Sequence, residues 1–310
     1  MPSDSASPAT SASSESPNDP VDWPAIEAAR SGDPDTRVPF LILDAGQDWL
    51  AGSVARHHLG ALARWPEALR QDGAGVTLTL AAPERDAFLA RANLALRDAG
   101  LIPAWRDETC TLTALHGGAL LASVERAAAR FWGSTTFGAH CNGYVADARG
   151  RPAQLWIARR AHDKPTDPGL LDNLIGGGVP LGQSPAQTVV REGWEEAGLQ
   201  PAQMAGLVAG RRFRVERDLA EGRQLEQISV FDLALPPGWL PHNQDGEVHS
   251  FSLMTVEQAL AHAAAGEMTV DAALATLDFA LRHRLLPTAR HLHLQVLAES
   301  LWLGRAQLDR

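Results

Sequence analysis

The sequence predicts an α/β fold built as two units. Short apolar segments of strand character alternate along the chain with amphipathic helices, an order that is typical of α/β proteins. A chain of 310 residues is long enough for about two domains of ordinary size. Hydrophobic residues make up 45% of the chain and charged residues 21%, which is the composition of a globular protein.

Charge and composition exclude several classes of function. The formal net charge of -10 offers no basic surface for wrapping nucleic acid or for docking on anionic lipid. No apolar run approaches the roughly 20 residues that cross a bilayer, and the N-terminus lacks the pattern of a secretory signal. With only Cys110 and Cys141 for bridging, we expect a cytoplasmic protein that binds neither nucleic acid nor membrane, as a monomer or a homodimer.

The first part of the chain is predicted to hold a small accessory domain. Residues 1–20 are mostly Ser, Ala, Pro, Asp and Glu, so we expect a disordered tail. An N-terminal α/β domain is predicted over 21–118. Its elements are a short helix from Trp23, strands at 38–43 and 76–80, a helix at 83–99 and a strand at 110–115. A helix at about 120–131 links it to the second unit.

A second domain is predicted over 119–287. It begins with strands at 138–146 and 154–158 and continues through an irregular stretch at 162–183. A helix, a strand pair at 206–215 and 227–235, and helices from Val256 and Val270 follow. Apolar residues at mostly helical spacing predict a C-terminal helix over 288–310.

The helix after residue 184 has clear signals at both ends. Ser184 is an N-cap, Pro185 occupies the first helical position, and Gln187 completes a capping box. Gly198 supplies a left-handed end. The sequence therefore predicts a helix over 185–197.

This helix carries three carboxylates on one face. Glu192, Glu195 and Glu196 stand at i, i+3 and i+4, where like charges repel each other. A cation among them would offset that repulsion, and oxygen ligands of this kind suit Mg²⁺ or Mn²⁺. The alternative is an acidic face that is merely solvated. Glycines at 176–178 favour a site, because they let the backbone approach an ion or phosphate.

The same residues resemble the Nudix hydrolase signature. That signature runs from a glycine to a distant Arg-Glu pair and ends in Glu-Glu, any residue, Gly and an aliphatic residue. Gly177 opens it here, Arg191 and Glu192 stand at the required distance, and the segment 195–199 closes it. Two positions differ: Gln183 replaces the first glutamate, and Gly193 replaces an aliphatic residue. The first change removes a carboxylate from an accessory metal site, and the second costs about 1 kcal/mol of helix propensity.

A wider resemblance points to a subgroup of the family. The segments 137–145, 155–160, 164–173 and 245–251 look like Nudix proteins related to fungal and plant thiamine pyrophosphokinase-like proteins, which carry an extra N-terminal domain. The resemblance implies a Nudix α/β/α sandwich with a small N-terminal α/β accessory domain. It also implies metal-dependent hydrolysis of a small organic diphosphate, with thiamine diphosphate or its oxidised analogues as candidate substrates.

The resemblance assigns roles to individual residues. Glu192 would bind metal and take the proton of the attacking water, and Arg191 would orient it, although Arg191 could equally be an ordinary helix partner of Glu195. Glu247 is a candidate further carboxylate from a loop, where glutamates are more often solvated. The other metal ligands would be Glu195, Glu196 and the backbone carbonyl of Gly176.

Substrate contacts are predicted near the glycine segment and at two basic positions. Gly177 would let a phosphate approach the backbone. Lys164 is the only lysine in the chain, so we expect that it is kept as a compact charge against a phosphate oxygen. Arg159 and Arg160 follow an apolar strand; we expect Arg159 to face the diphosphate, and one of the two to be solvated.

Two other functions stay open. Gln183 is compatible with a degenerate, non-catalytic module that binds a diphosphate or nucleotide, although the intact carboxylates argue against it. An enzyme like isopentenyl diphosphate isomerase ranks lower, because the paired-cysteine strand of that family is absent. Phosphate release with Mg²⁺ separates the module from a hydrolase.

Overall fold

The computed structural model describes residues 23–115 and 118–307. The tail predicted for residues 1–20 and the final residues of the predicted C-terminal helix lie outside these ranges. The helices are α1 (Pro24–Ala28), α2 (Leu59–Leu62), α3 (Ala82–Asp98), α4 (Arg126–Trp132), α5 (Pro185–Ala197), α6 (Val256–Ala264), α7 (Val270–Arg282) and α8 (Thr288–Ala298). The strands are β1 (Arg37–Asp44), β2 (Gln47–Ala55), β3 (Leu69–Asp72), β4 (Gly75–Leu78), β5 (Thr109–Thr113), β6 (Leu120–Glu125), β7 (Thr135–Ala146), β8 (Pro152–Arg160), β9 (Leu171–Asn173), β10 (Ile175–Gly178), β11 (Val208–Leu219), β12 (Gly222–Ala234), β13 (Val248–Thr255) and β14 (Trp302–Arg305).

A four-stranded sheet in the order β2-β1-β4-β3 forms the first unit, together with α3, α4 and the β5–β6 hairpin. Its core gathers Phe40, Leu89 and Trp132, each almost completely buried. The helix predicted over 83–99 is confirmed as α3, whereas β2 and β3 were not predicted.

The linker helix predicted at 120–131 is wrong in its first half. Leu120–Glu125 is strand β6, which pairs with β5 so that Val124 lies opposite Cys110. A short apolar run fits a strand as well as a helix, and only the pairing partner decides between them. The helix begins at Arg126, where the Glu125 side chain accepts a hydrogen bond from the Ala127 N–H at 3.3 Å.

A larger sheet in the order β13-β8-β7-β12-β11-β14 forms the second unit, with β9 and β10 paired to β8 and β7. Strands β7 and β12 run parallel. Helix α5 covers one face over Ala139 and Phe231, and α1, α6 and α7 cover the other over Ile228 and Val230. The predicted α/β/α sandwich is confirmed.

Two segments differ from the predicted organisation. The C-terminal helix ends at Ala298, and Trp302–Arg305 adds strand β14 to the edge of β11, because the ring of Trp302 packs on Phe213 at 5.8 Å. Strands β9 and β10 occupy part of the stretch 162–183 that was predicted to be irregular.

The cores do not divide where the sequence predicts the boundary. The first core extends to Trp132, beyond the predicted limit at residue 118, and α1 packs into the second core through Trp23 and Ile26. No helix in the described ranges is long and apolar enough to span a lipid bilayer.

Candidate functional site

Helix α5 begins and ends where its caps predict. The Ser184 hydroxyl accepts the Gln187 N–H at 3.2 Å, and the Gln187 side chain accepts the Ser184 N–H at 2.9 Å. Gly198 ends the helix with φ of 71°. These contacts fix where the helix begins and ends, and hence which helical positions the carboxylates occupy.

The three helix carboxylates lie in different surroundings. Glu196 is buried and accepts the Gly176 N–H at 2.9 Å. Arg191 donates to Glu192 at 2.8 Å and to Glu195 at 2.6 Å. The side chain of Glu192 is 13% exposed and that of Glu195 is 37% exposed. Arg191 therefore holds the side chain of Glu192 in place and also forms the ordinary i,i+4 pair.

The glycine segment lets side chains approach strand β10 closely. A Cβ added at Gly177 would lie 2.2 Å from Oε1 of Glu192. One added at Gly178 would lie 1.5 Å from a guanidinium nitrogen of Arg126. A side chain at either position would therefore displace the side chain that now occupies this space.

Burial disfavours the charged forms of two of these carboxylates. It raises the pKa of Glu192 to about 7, with help from the charges of Glu195 and Glu247 and against the effect of Arg191. Burial also raises the pKa of Glu196 well above its usual range, and Glu192 adds to that rise. A bound cation would favour the charged forms of both carboxylates and so oppose this effect of burial.

A cavity of about 400 Å³ opens beside these carboxylates. Most of the predicted site residues line this cavity: Lys164, Gly176, Gly177, Arg191, Glu192, Glu195 and Glu247. Glu196 and Arg159 do not line it. Lys164 forms an ion pair with Glu247. The structure thus brings the predicted loop glutamate and the single lysine to the helix carboxylates.

Arg159 does not face the cavity, contrary to the sequence-based expectation. Neighbouring residues on a strand point to opposite faces, and Arg159 donates to the Gly169 carbonyl at 2.7 Å. Arg160 lines the cavity instead and donates to Asp172 at 2.9 Å. The sequence could not decide between the two arginines, because it does not show which face of the strand meets the cavity.

Several cavity residues were not predicted. Asp172 is buried on β9, with His140 at 3.6 Å, and the side chain of Asn173 contacts His140 at 2.9 Å. An acidic residue within the apolar run 170–175 was a signal that could have drawn attention to Asp172. Arg106 and Arg126 also line the cavity, but they come from the first unit and no local pattern connects them with α5.

The structure shows which side chains surround Gln183 and Gly193, the two positions that depart from the signature. The Gln183 side chain accepts a hydrogen bond from Thr188 at 3.2 Å and one from Arg191 at 3.4 Å, so an amide stands beside the arginine that holds Glu192. Gly193 faces Met204, whose sulfur would lie 2.7 Å from an added Cβ. Close packing therefore accounts for the missing aliphatic side chain.

The donor set suits a hard divalent cation. Carboxylate oxygens come from α5 and from Glu247, and the glycine segment supplies backbone oxygens nearby. Over residues 23–115 and 118–307, no three His, Cys, Asp or Glu side chains are already gathered as a metal-binding group. Arg191 pairs with Glu192 and Glu195, and Lys164 pairs with Glu247.

Sequence comparison identifies the second unit. The model of the NUDIX domain matches residues 139–273. Nudix hydrolase 20, chloroplastic, of Arabidopsis thaliana is 36% identical over 61% of this chain and 50% of its own length. Nudix hydrolase 24, chloroplastic, of the same plant is 34% identical over 70% of this chain and 60% of its own length. The chain thus spans half to three fifths of the length of these relatives.

Among solved structures, the crystal structure of DR0079 from Deinococcus radiodurans aligns with a TM-score of 0.41 and 23% identity, over 56% of this chain and 98% of that one. The family match includes β10 and the whole of α5, the two elements that bring Gly176 and Glu196 together. Residues 139–273 of this chain therefore match the model of the NUDIX domain family.

Proposed function

We propose that this chain is a metal-dependent hydrolase that cleaves a small organic diphosphate to the monophosphate and phosphate. The observation that carries the proposal is the pair of carboxylates Glu192 and Glu196, largely buried and with raised pKa values, which lie against Gly176 and Gly177 beside a cavity lined by acidic and basic side chains. Perturbed acids in a cleft are typical of catalytic sites.

Mg²⁺ or Mn²⁺ would be held by Glu192, Glu195, Glu196 and Glu247 and by the carbonyl of Gly176. Such an ion, when bound, lowers the pKa of an attacking water and neutralises charge that develops on the bridging oxygen of the diphosphate.

The residues of the chain supply the remaining steps. Glu192 takes the proton of the attacking water, as a carboxylate beside the proposed metal site can do. Arg191 keeps the Glu192 carboxylate oriented through its 2.8 Å hydrogen bond. Lys164 and Arg160 contact the phosphates, with Arg160 in the role first expected of Arg159.

The proposed substrate is thiamine diphosphate or one of its oxidised analogues. This choice rests on the resemblance of segments 137–145, 155–160, 164–173 and 245–251 to the thiamine pyrophosphokinase-like subgroup. Because phosphate contacts recognise the part that all diphosphates share, Lys164→Ala should impair every diphosphate substrate to about the same extent. The two buried free thiols, Cys110 and Cys141, support our proposal of a reduced, cytoplasmic setting.

A screen of diphosphate compounds with Mg²⁺, scored for orthophosphate against pyrophosphate release, tests the proposed reaction. We expect hydrolysis of a thiamine compound, and a loss of turnover by orders of magnitude in Glu192→Gln and Glu196→Gln. Glutamine at 196 can still accept the Gly176 N–H, so the fold should be retained, as the thermal unfolding temperature would show.

Near-normal turnover in both variants would remove the carboxylates from the mechanism. Preference for nucleoside triphosphates or dinucleotides, without cleavage of any thiamine compound, would contradict the proposed substrate but not the proposed hydrolase activity. Gln183 favours one competing function, a diphosphate-binding module without activity. Binding of diphosphates with no phosphate release under any metal condition would select that module.

A further inference from the structure

The first unit contributes a wall to the proposed substrate cavity. Arg106 lies in the loop between α3 and β5, and its side chain lines the same cavity as Glu192 and Gly177. None of the roles proposed above uses a residue from this unit. The presence of Arg106 there therefore raises the question of what its guanidinium binds.

Arg106 has no ionic partner among the described residues, unlike its basic neighbours. Arg126 pairs with Glu108 at 3.2 Å, and Arg130 pairs with Glu221 at 2.6 Å. The side chain of Arg106 makes no such pair over 23–115 and 118–307 and stays exposed at the cavity. Its five N–H donors remain available to a ligand.

The surroundings of Arg106 favour an anion. Loss of solvent on the side that faces the cavity wall lowers the pKa of Arg106, and the charges of Arg126 and Arg130 lower it further, while Glu108 and Glu247 act in the opposite direction. Within the described part of the chain, Arg126 and Arg130 have carboxylate partners and Arg106 has none, so a phosphate group would supply the negative charge that Arg106 lacks. Arg106 also acts on Glu247, which is paired with Lys164 across the cavity.

The loop holds Arg106 in a fixed position. The Arg106 N–H donates to Glu125 at 3.1 Å, and the Trp105 indole donates to Asp107 at 2.7 Å. Ala104 and Asp107, on either side, both have a φ of 57°. Such left-handed conformations are costly for residues other than glycine and persist where the surrounding structure imposes them. A loop fixed in this way pays little further entropy when Arg106 binds a ligand.

We propose that Arg106 binds the diphosphate group of the substrate, so that both units form one substrate site. The inference rests on the proposed function, since it assumes that the cavity takes a diphosphate. It adds a phosphate contact that lies outside the NUDIX domain match of residues 139–273. The guanidinium fork of an arginine matches two phosphate oxygens at once.

Steady-state kinetics of Arg106→Ala test this contact. We expect KM to rise at least tenfold for diphosphates that differ in their organic part, while kcat stays within about threefold, because a uniform binding contact is lost. Arg106→Lys should retain part of the affinity. Arg91→Ala, an exposed arginine on α3 away from the cavity, is the matched control and should behave as the wild type.

A binding measurement separates failure of this contact from failure of the proposed function. Inorganic pyrophosphate with Mg²⁺ should bind the wild type in calorimetry, and Arg106→Ala should weaken that binding at least tenfold at an unchanged unfolding temperature. If the wild type binds pyrophosphate in this Arg106-dependent way but hydrolyses no diphosphate, only the proposed function fails. Unchanged KM and unchanged pyrophosphate affinity in Arg106→Ala would overturn the role of Arg106, and a wild type that neither binds nor hydrolyses diphosphates would overturn both.

Discussion

Arg191 holds two of the three helix carboxylates, and this arrangement defines the site at the scale of single residues. Its guanidinium contacts Glu192 and Glu195, whereas Glu196 depends on a backbone N–H from Gly176. One arginine therefore stands against three carboxylates. Loss of solvent outweighs the opposing charge of Arg191 at Glu192, and it outweighs the Gly176 hydrogen bond at Glu196, so burial raises the pKa values of both carboxylates.

The raised pKa of Glu192 predicts a pH dependence of stability without metal. A buried acid whose pKa rises from 4.5 to about 7 is protonated more fully in the folded than in the unfolded chain between those values. Stability should therefore fall as the pH rises from about 4.5 to 7, by at most about 3 kcal/mol at 1.36 kcal/mol per pKa unit. Urea unfolding of metal-free protein across this range measures the effect.

Glu192→Gln should reduce that dependence, because one of the two titrating carboxylates is gone while Glu196 remains. Glu257→Gln, at an exposed position, is the control and should keep the wild-type profile. A Glu192→Gln protein that retains the full loss of stability between pH 4.5 and 7 would contradict the assignment of the raised pKa to Glu192.

A second prediction concerns Gln183. Its amide oxygen already lies 3.4 Å from Nε of Arg191, so a glutamate there would add a carboxylate beside the site without displacing the chain. We expect Gln183→Glu to change the affinity for Mg²⁺ more than kcat, as metal titrations of the hydrolysis rate would show. A natural protein inert toward all diphosphates, but activated by Gln183→Glu, would instead reveal a degenerate site.

At the scale of elements, β10 and α5 depend on each other. The strand has glycine at three successive positions, and the helix places Glu192 in the space where a side chain at Gly177 would lie. The close approach of α5 to β10 therefore depends on the absence of a side chain at Gly177.

Gly177→Ala tests this dependence. The added Cβ would lie 2.2 Å from Oε1 of Glu192, so the carboxylate must move, and we expect the hydrolysis rate to fall by at least tenfold. Gly206→Ala is the control, because nothing lies within 4 Å of its added Cβ. If Gly177→Ala retains wild-type turnover, the close approach of strand and helix has no role in the reaction.

At the scale of the whole molecule, the two units meet around the cavity and share elements across the predicted boundary. Helix α1 packs into the second core, and α4 packs into the first core while its Arg126 lies against Gly178. The end of the chain completes the larger sheet, because β14 pairs with the edge of β11.

Removing β14 should destabilise the protein. A chain that ends at Leu301 exposes the edge of β11 and loses the packing of Trp302 on Phe213, which we expect to cost about 2 kcal/mol of the free energy of unfolding. Chemical denaturation measures the change. A chain that ends at Gln307 keeps the strand and serves as the control; equal stability of the two would show that β14 contributes nothing.

The sequence by itself determined the elements whose signals are local. Helix α5 begins at Pro185 and ends at Ala197 as its caps predicted, because capping is an interaction between residues three or four positions apart. The helical repeat predicted that Glu192, Glu195 and Glu196 share one face. The spacing of the signature predicted the NUDIX domain, which the family match confirms.

Only the tertiary structure decided what depends on partners distant in the chain. Arg160, and not Arg159, lines the cavity. Leu120–Glu125 forms a strand because it pairs with β5. The last helix ends at Ala298, and β14 pairs with β11. The tertiary structure also brought Arg106 from the first unit to the cavity. Strand pairing and long-range charge contacts join residues tens to hundreds of positions apart, and no local pattern in the sequence records which partner each will meet.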